Sequence, residues 1–90
     1  MCRKIKTLFN FEPPPTDEEI YAASLQFIRK LSGYNKPSKA NEVAFNRAVV
    51  QVAGVARMLL DTLHTTAEPR SRDVEAARAR ARAAERFKAT

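Results

Sequence analysis

Arginines recur at every fourth residue near the end of this chain, at Arg78, Arg82 and Arg86. On a helix that spacing lines them along one edge, where like charges repel by roughly 0.2–0.5 kcal/mol per pair unless something answers them. A row of cations suits a polyanion, and its contacts would go to phosphates, weaken with salt and read little sequence. Glu75, three residues before Arg78, and Glu85, three after Arg82, offer local pairing that would turn the row into a solvated charged face. Lys36 and Lys39 flank the expected start of another helix, whose unpaired N–H groups favour an anion. The single nearby glycine, Gly33, falls short of the glycine-rich run of a phosphate cradle. These five cations are the nucleic-acid or anion-binding candidates of the sequence.

The soft ligands and nucleophiles are few. Cys2 and His64 supply two ligands, fewer than a zinc site needs, and no third group is evident to orient the imidazole for a Cys–His nucleophile. A cation is favoured at a helix C-terminus, which accounts for His64, and Cys2 fits as a small apolar side chain in a segment that contacts the core. Neighbouring cations would favour its thiolate if it were exposed, so a thiol-redox or metal role at Cys2 is the weakest alternative. Asp17, Glu18 and Glu19 fall in a helical first turn, where capping and the helix dipole explain them. With no nucleophile elbow and no dinucleotide fingerprint, the sequence predicts no catalytic residue, no metal site and no cofactor, and the expectation is that the protein is not an enzyme.

The elements that would carry these residues form one domain. Ninety residues bury only about 60% of their unfolded surface, so the stability margin is thin. Residues 1–15 read as a leader, 16–64 as a helical core, 65–72 as a linker around Pro69, and 73–90 as a basic C-terminal helix. The net charge of +6 belongs to the ends: residues 1–15 carry three cations and one anion, 16–68 six of each, and 69–90 seven and three. That distribution argues against a uniformly basic body that wraps nucleic acid. The longest nearly apolar run, residues 48–60, is broken by Gln51 and Arg57 and is shorter than the roughly 20 residues of a membrane span. Cations and prolines interrupt any signal-like apolar run near Met1, and one cysteine suits a reducing compartment. A cytoplasmic setting without membrane contact is therefore expected.

Thr16 and Glu19 match a capping box, and Ile20, Ala23, Phe27, Ile28 and Leu31 follow helical spacing up to Gly33, so the first helix is placed at Asp17–Ser32. Ser38 is the expected cap of a second helix over residues 39–64, whose Phe45, Ala48, Val49, Val52, Val55, Ala56, Leu59, Leu60 and Leu63 fall within an arc of roughly 160°. The short loop between them makes the pair antiparallel. Ile5, Leu8, Phe9 and Phe11 of the leader are expected to close its open side, either as a helix or extended. Residues 73–87 are helical by propensity, with a stripe of Val74, Ala77, Ala81 and Ala84 too small to dock firmly. The expected architecture is a small all-α domain: an antiparallel helix pair, a packed leader and a peripheral Ala/Arg-rich third helix.

Gly54 breaks the second helix at a cost of about 1 kcal/mol relative to Ala. It lies opposite the main apolar arc, beside Val43, Val50 and Met58, and small residues permit close helix approach. That face would receive either the third helix or another molecule. Two stretches carry a resemblance: MCRKIKTLFNFEPPPTDEEI and LQFIRKLSGYNKPSKANEVAF are similar to the small bacterial family catalogued as domain-of-unknown-function family 2277. The resemblance implies the same compact bacterial protein and supplies no catalytic residues. The chain has Lys4 and Pro15 where Asn and Ala are common in that family, so neither position is given a role. The leading expectation is a non-enzymatic protein-interaction module, self-associating or bound to another protein through Val43, Val50, Gly54 and Met58. Nonspecific RNA or DNA binding by Arg78, Arg82 and Arg86, helped by Lys36 and Lys39, is the alternative.

Overall fold

The computed structural model describes residues 5–88. It is all-α apart from one two-residue parallel bridge: β1 (Phe11–Glu12), α1 (Asp17–Ser32), a 3-10 turn (Lys39–Asn41), α2 (Glu42–Thr62), β2 (Arg70–Ser71) and α3 (Arg72–Lys88). Helix α1 has the predicted bounds because both its ends are closed by local chemistry. The Thr16 hydroxyl accepts from the Glu19 N–H at 3.2 Å, and the Glu19 carboxylate accepts from the Thr16 N–H at 2.9 Å. At the other end Gly33 takes φ 80°, a left-handed conformation that suits a residue without Cβ, and donates to the Arg29 carbonyl at 2.9 Å.

The helices run antiparallel. Asp17, at the start of α1, meets Arg57 near the end of α2, while Ile28, near the end of α1, packs with Phe45 and Val49 near the start of α2. Ile20, Ile28, Phe45 and Val49 are buried, and Leu25, Ala48 and Val52 pack against the last three. Ser24 is buried among them because its hydroxyl donates to the Ile20 carbonyl at 2.8 Å, leaving no orphan polar atom. Phe27 and Leu31, read as core from their spacing, are exposed.

Several expectations about α2 are corrected. The helix ends at Thr62, where the Leu63 backbone turns extended, so His64 lies outside it. Its first three residues tighten into the 3-10 turn, and Ser38 makes no side-chain cap: its hydroxyl instead accepts from Asn41 Nδ2 at 3.0 Å. Part of the expected apolar arc is uncovered: Val55 and Leu59 are more than half exposed, and Leu63 is exposed as well. The leader does not close that side. It is extended at Phe11–Glu12 and lies with Phe9, Pro14 and Pro15 along the flank formed by Arg57, Leu60 and Asp61.

What was expected to be a linker holds the leader instead. Phe11 pairs with Arg70 and Glu12 with Ser71 in parallel register. Asn10, at φ 65°, turns the chain into that bridge; its carbonyl accepts from the Arg70 N–H at 2.6 Å and its Nδ2 donates to the Glu68 carbonyl at 3.0 Å. Asparagine tolerates the left-handed region better than most residues, which suits it to this corner. The molecule measures 44 × 40 × 18 Å, about one and a half helix diameters in its shortest dimension.

Val49 is fully buried and Val50, its neighbour, is 61% exposed. Val49→Ala is expected to cost about 2 kcal/mol and Val50→Ala to stay within about 0.5 kcal/mol, read from urea unfolding midpoints. Equal losses would overturn this placement of the core.

Candidate interaction surface

Two arginines absent from the sequence-predicted sites organise the polar structure. Arg72 grips Glu19 with two nitrogens, Nη1 to Oε2 at 2.7 Å and Nη2 to Oε1 at 2.9 Å, a bidentate pairing that fixes both planes. Its Nε donates to the Pro13 carbonyl at 3.0 Å and Nη2 to the Pro14 carbonyl at 3.3 Å. Its guanidinium also sits 5.6 Å from the Phe11 ring centre, with that of Arg70 at 5.9 Å. Arg57 does the corresponding work for the next carbonyl. It donates to Asp17 Oδ1 from Nη2 at 2.6 Å and from Nε at 3.0 Å, to Asp61 at 3.3 Å, and to the Pro15 carbonyl at 3.2 Å.

The acidic first turn of α1 therefore does more than offset a dipole. The Arg72 hydrogen bonds, followed by that of the Thr16 backbone, hold the Glu19 carboxyl far below its ordinary 4.5, at about 2. Hydrogen bonds to Glu19 and Asp17 raise Arg72 and Arg57 in turn.

The predicted cations are not brought together. Lys36 and Lys39 are exposed around the 3-10 turn, on a different part of the chain from α3. On α3, Arg78 pairs with Glu75 at 3.4 Å as anticipated, but the Arg82–Glu85 pair does not form. Arg82 and Arg86 are exposed and make no ion pair among the described residues. Cys2 lies outside the described residues, and no group of three or more His, Cys, Asp or Glu side chains among the described residues is placed to hold a metal ion.

The apolar candidates fare differently. Val43, Val50 and Met58 are 69%, 61% and 69% exposed, and a Cβ built on Gly54 would meet no atom within 4 Å. Helix α3 does not cover them, which corrects the idea that its alanine stripe packs there; Val74 and the stripe's Ala77, Ala81 and Ala84 are themselves exposed. Beside Gly54 a groove of about 520 Å³ opens between the helices, walled by Ile20, Tyr21 and Ala53 and closed at one end by Asp17 and Arg57. The 3-10 turn and α2 together, Lys39–Thr62, are long and apolar enough to cross a membrane by length and composition, with mean hydropathy of 1.3 over 18 residues, a longer stretch than residues 48–60 suggested. Only 11% of that window is buried, and Val43, Val50, Val55, Met58 and Leu59 within the helix are exposed.

The chain matches, over residues 1–78, the family described as uncharacterized conserved protein (DUF2277). The chain belongs to that family. Its matched span includes Glu19, Arg57, Arg72 and all of α2, whereas Arg82 and Arg86 fall beyond it. No curated protein and no solved structure matches the chain.

A carboxyl depressed in the folded state stabilises the fold above its unfolded value and loses that contribution as pH falls through the folded one. The Glu19 contribution is thus complete above about 4.5 and lost towards about 2. Urea midpoints measured across that window are expected to fall less in Glu19→Gln than in the wild type. Parallel curves would show that Arg72 does not hold Glu19 in solution.

Proposed function

We propose that the chain is a non-enzymatic protein-interaction module that binds through the outer face of α2. The carrying observation is that Val43, Val50 and Met58, more than 60% exposed, share one face of α2 with an open Gly54 in a molecule 18 Å across its shortest dimension. Domains ordinarily bury such faces between two packed layers, and here no second layer among the described residues reaches it. An exposed apolar face of this kind marks an association site.

A second reading rests on the free pair Arg82 and Arg86. With Arg78 they form a row on a helix exposed along its length, suited to sequence-blind phosphate contacts in RNA or DNA. Lys36 and Lys39 would have to act from elsewhere.

Photo-cross-linking side chains placed in cells at positions 50 and 58, with exposed position 30 of α1 as control, separate these readings. Protein adducts at 50 and 58 and none at 30 are expected; adducts at neither would overturn the module. Titration with a short mixed-sequence RNA, followed by amide NMR shifts, tests the other reading. Shifts confined to residues 73–88 that fade steeply with salt would favour it, and none at low salt would remove it.

A further inference from the structure

Position 54 is a centre of symmetry in the residues of α2's outer face. Val50 and Met58 lie four residues before and after it; Arg47 and Asp61 lie seven before and after. Offsets of four and seven return to the same side of a helix, and at about 100° per residue all five positions fall within roughly 80°. The stripe is therefore apolar around a glycine, with a cation at one end and an anion at the other.

We infer that the occupant of this face is a second copy of the chain, its α2 laid antiparallel on the first about a two-fold axis at Gly54. This rests on the interaction reading above and names its partner. In a two-fold antiparallel pair, the residue a given distance before the axis faces the residue that distance after it. Val50 then meets Met58 of the second copy, and Arg47 meets Asp61 of the second copy, each contact occurring twice. A parallel arrangement would set Arg47 against Arg47 and Asp61 against Asp61, so the charges select the antiparallel one.

The structure leaves each participant available. Arg47 is exposed and makes no ion pair among the described residues. Asp61 gives Oδ1 to Arg57 at 3.3 Å, its side chain is 62% exposed, and its Oδ2 accepts no hydrogen bond among the described residues. Gly54 presents open space where the two backbones approach most closely, and the groove beside it, walled by Tyr21 and Ala53, extends the contact towards α1. A seam of one helix from each copy belongs to the small end of protein interfaces, so the dimer is expected to be weak and concentration-dependent.

Sedimentation equilibrium of the full chain from about 5 to 500 μM, a range that brackets micromolar affinity, tests this. The wild type is expected to pass from monomer to dimer. Arg47→Asp, which sets like charges opposite each other twice, is expected to weaken the dimer at least tenfold, as is Met58→Glu. Both positions are exposed within the chain, so circular dichroism should be unchanged. The double variant Arg47→Asp/Asp61→Arg is expected to recover wild-type affinity, with Arg57 retaining Asp17 as its partner. A wild type that stays monomeric throughout, or a dimer indifferent to Arg47→Asp, overturns the inference. A monomer that still cross-links at position 58 to a different protein overturns the two-fold arrangement alone; a monomer with no adduct overturns the interaction reading as well.

Discussion

One carboxylate ties the two ends of the chain to its middle. Glu19 closes the first turn of α1 by accepting from the Thr16 N–H, and with the same two oxygens it accepts the fork of Arg72 from 53 residues away. Through Arg72 it fixes where α3 begins, and through the neighbouring β1–β2 bridge where the leader lies. Neither segment has much else to hold it. The bridge is two residues long, and α3 is exposed along nearly all of its length. An exposed pair of this kind is worth little when two long side chains must be ordered for it alone. Here Glu19 is already positioned by its cap, Arg72 is bidentate, and three further contacts, to the Pro13 and Pro14 carbonyls and the Phe11 ring, share the cost of ordering it.

The proline triplet shows why two arginines are needed. Pro13, Pro14 and Pro15 have no N–H to pair with a neighbouring strand, yet each keeps a carbonyl that needs a donor. Arg72 serves Pro13 and Pro14, and Arg57 serves Pro15. A guanidinium has five donors in a fixed fork, so it can satisfy carbonyls and a carboxylate together where lysine could not do so in one plane. Because the Pro15 contact goes to the backbone, it does not depend on a proline at that position. Arg72 joins the basic C-terminal stretch to the acidic start of α1, as Arg57 joins the end of α2 to it, so part of the chain's excess charge is used internally.

Features whose causes lie within a few residues were legible in the sequence. Thr16, Glu19 and Gly33 placed both ends of α1 because caps are local, and the periodicity of Phe45 and Val49 placed the buried face near the start of α2. The Arg72–Glu19 fork had no such signal: nothing in the spacing of two charged residues so far apart distinguishes partners from solvated neighbours. The β1–β2 bridge is too short for alternation to appear. Val55 and Leu59 show a different failure. Helical periodicity says which side chains share a face but not whether another element covers it, and the leader, drawn to the opposite flank by Arg57, leaves these two open.

That displaced leader bears on how so small a chain can be stable. Its radius of gyration is 15.9 Å, against about 12 Å for a compact chain of this length. Only four hydrophobic side chains are buried among the described residues, and the proline segment of the leader and the start of α3 are held by arginine hydrogen bonds. A flat fold with its ends pinned and a long apolar helix in the middle cannot close a second layer over itself, because the segments that would form that layer are committed elsewhere. In the dimer proposed above, association would supply the missing burial on the outer face of α2, around Gly54. The arginine–carboxylate clasp and the bare outer face of α2 are two sides of one arrangement: the polar contacts fix the leader to the Arg57–Asp61 flank of α2 and fix the start of α3 beside Glu19, and Val43, Val50 and Met58 remain exposed.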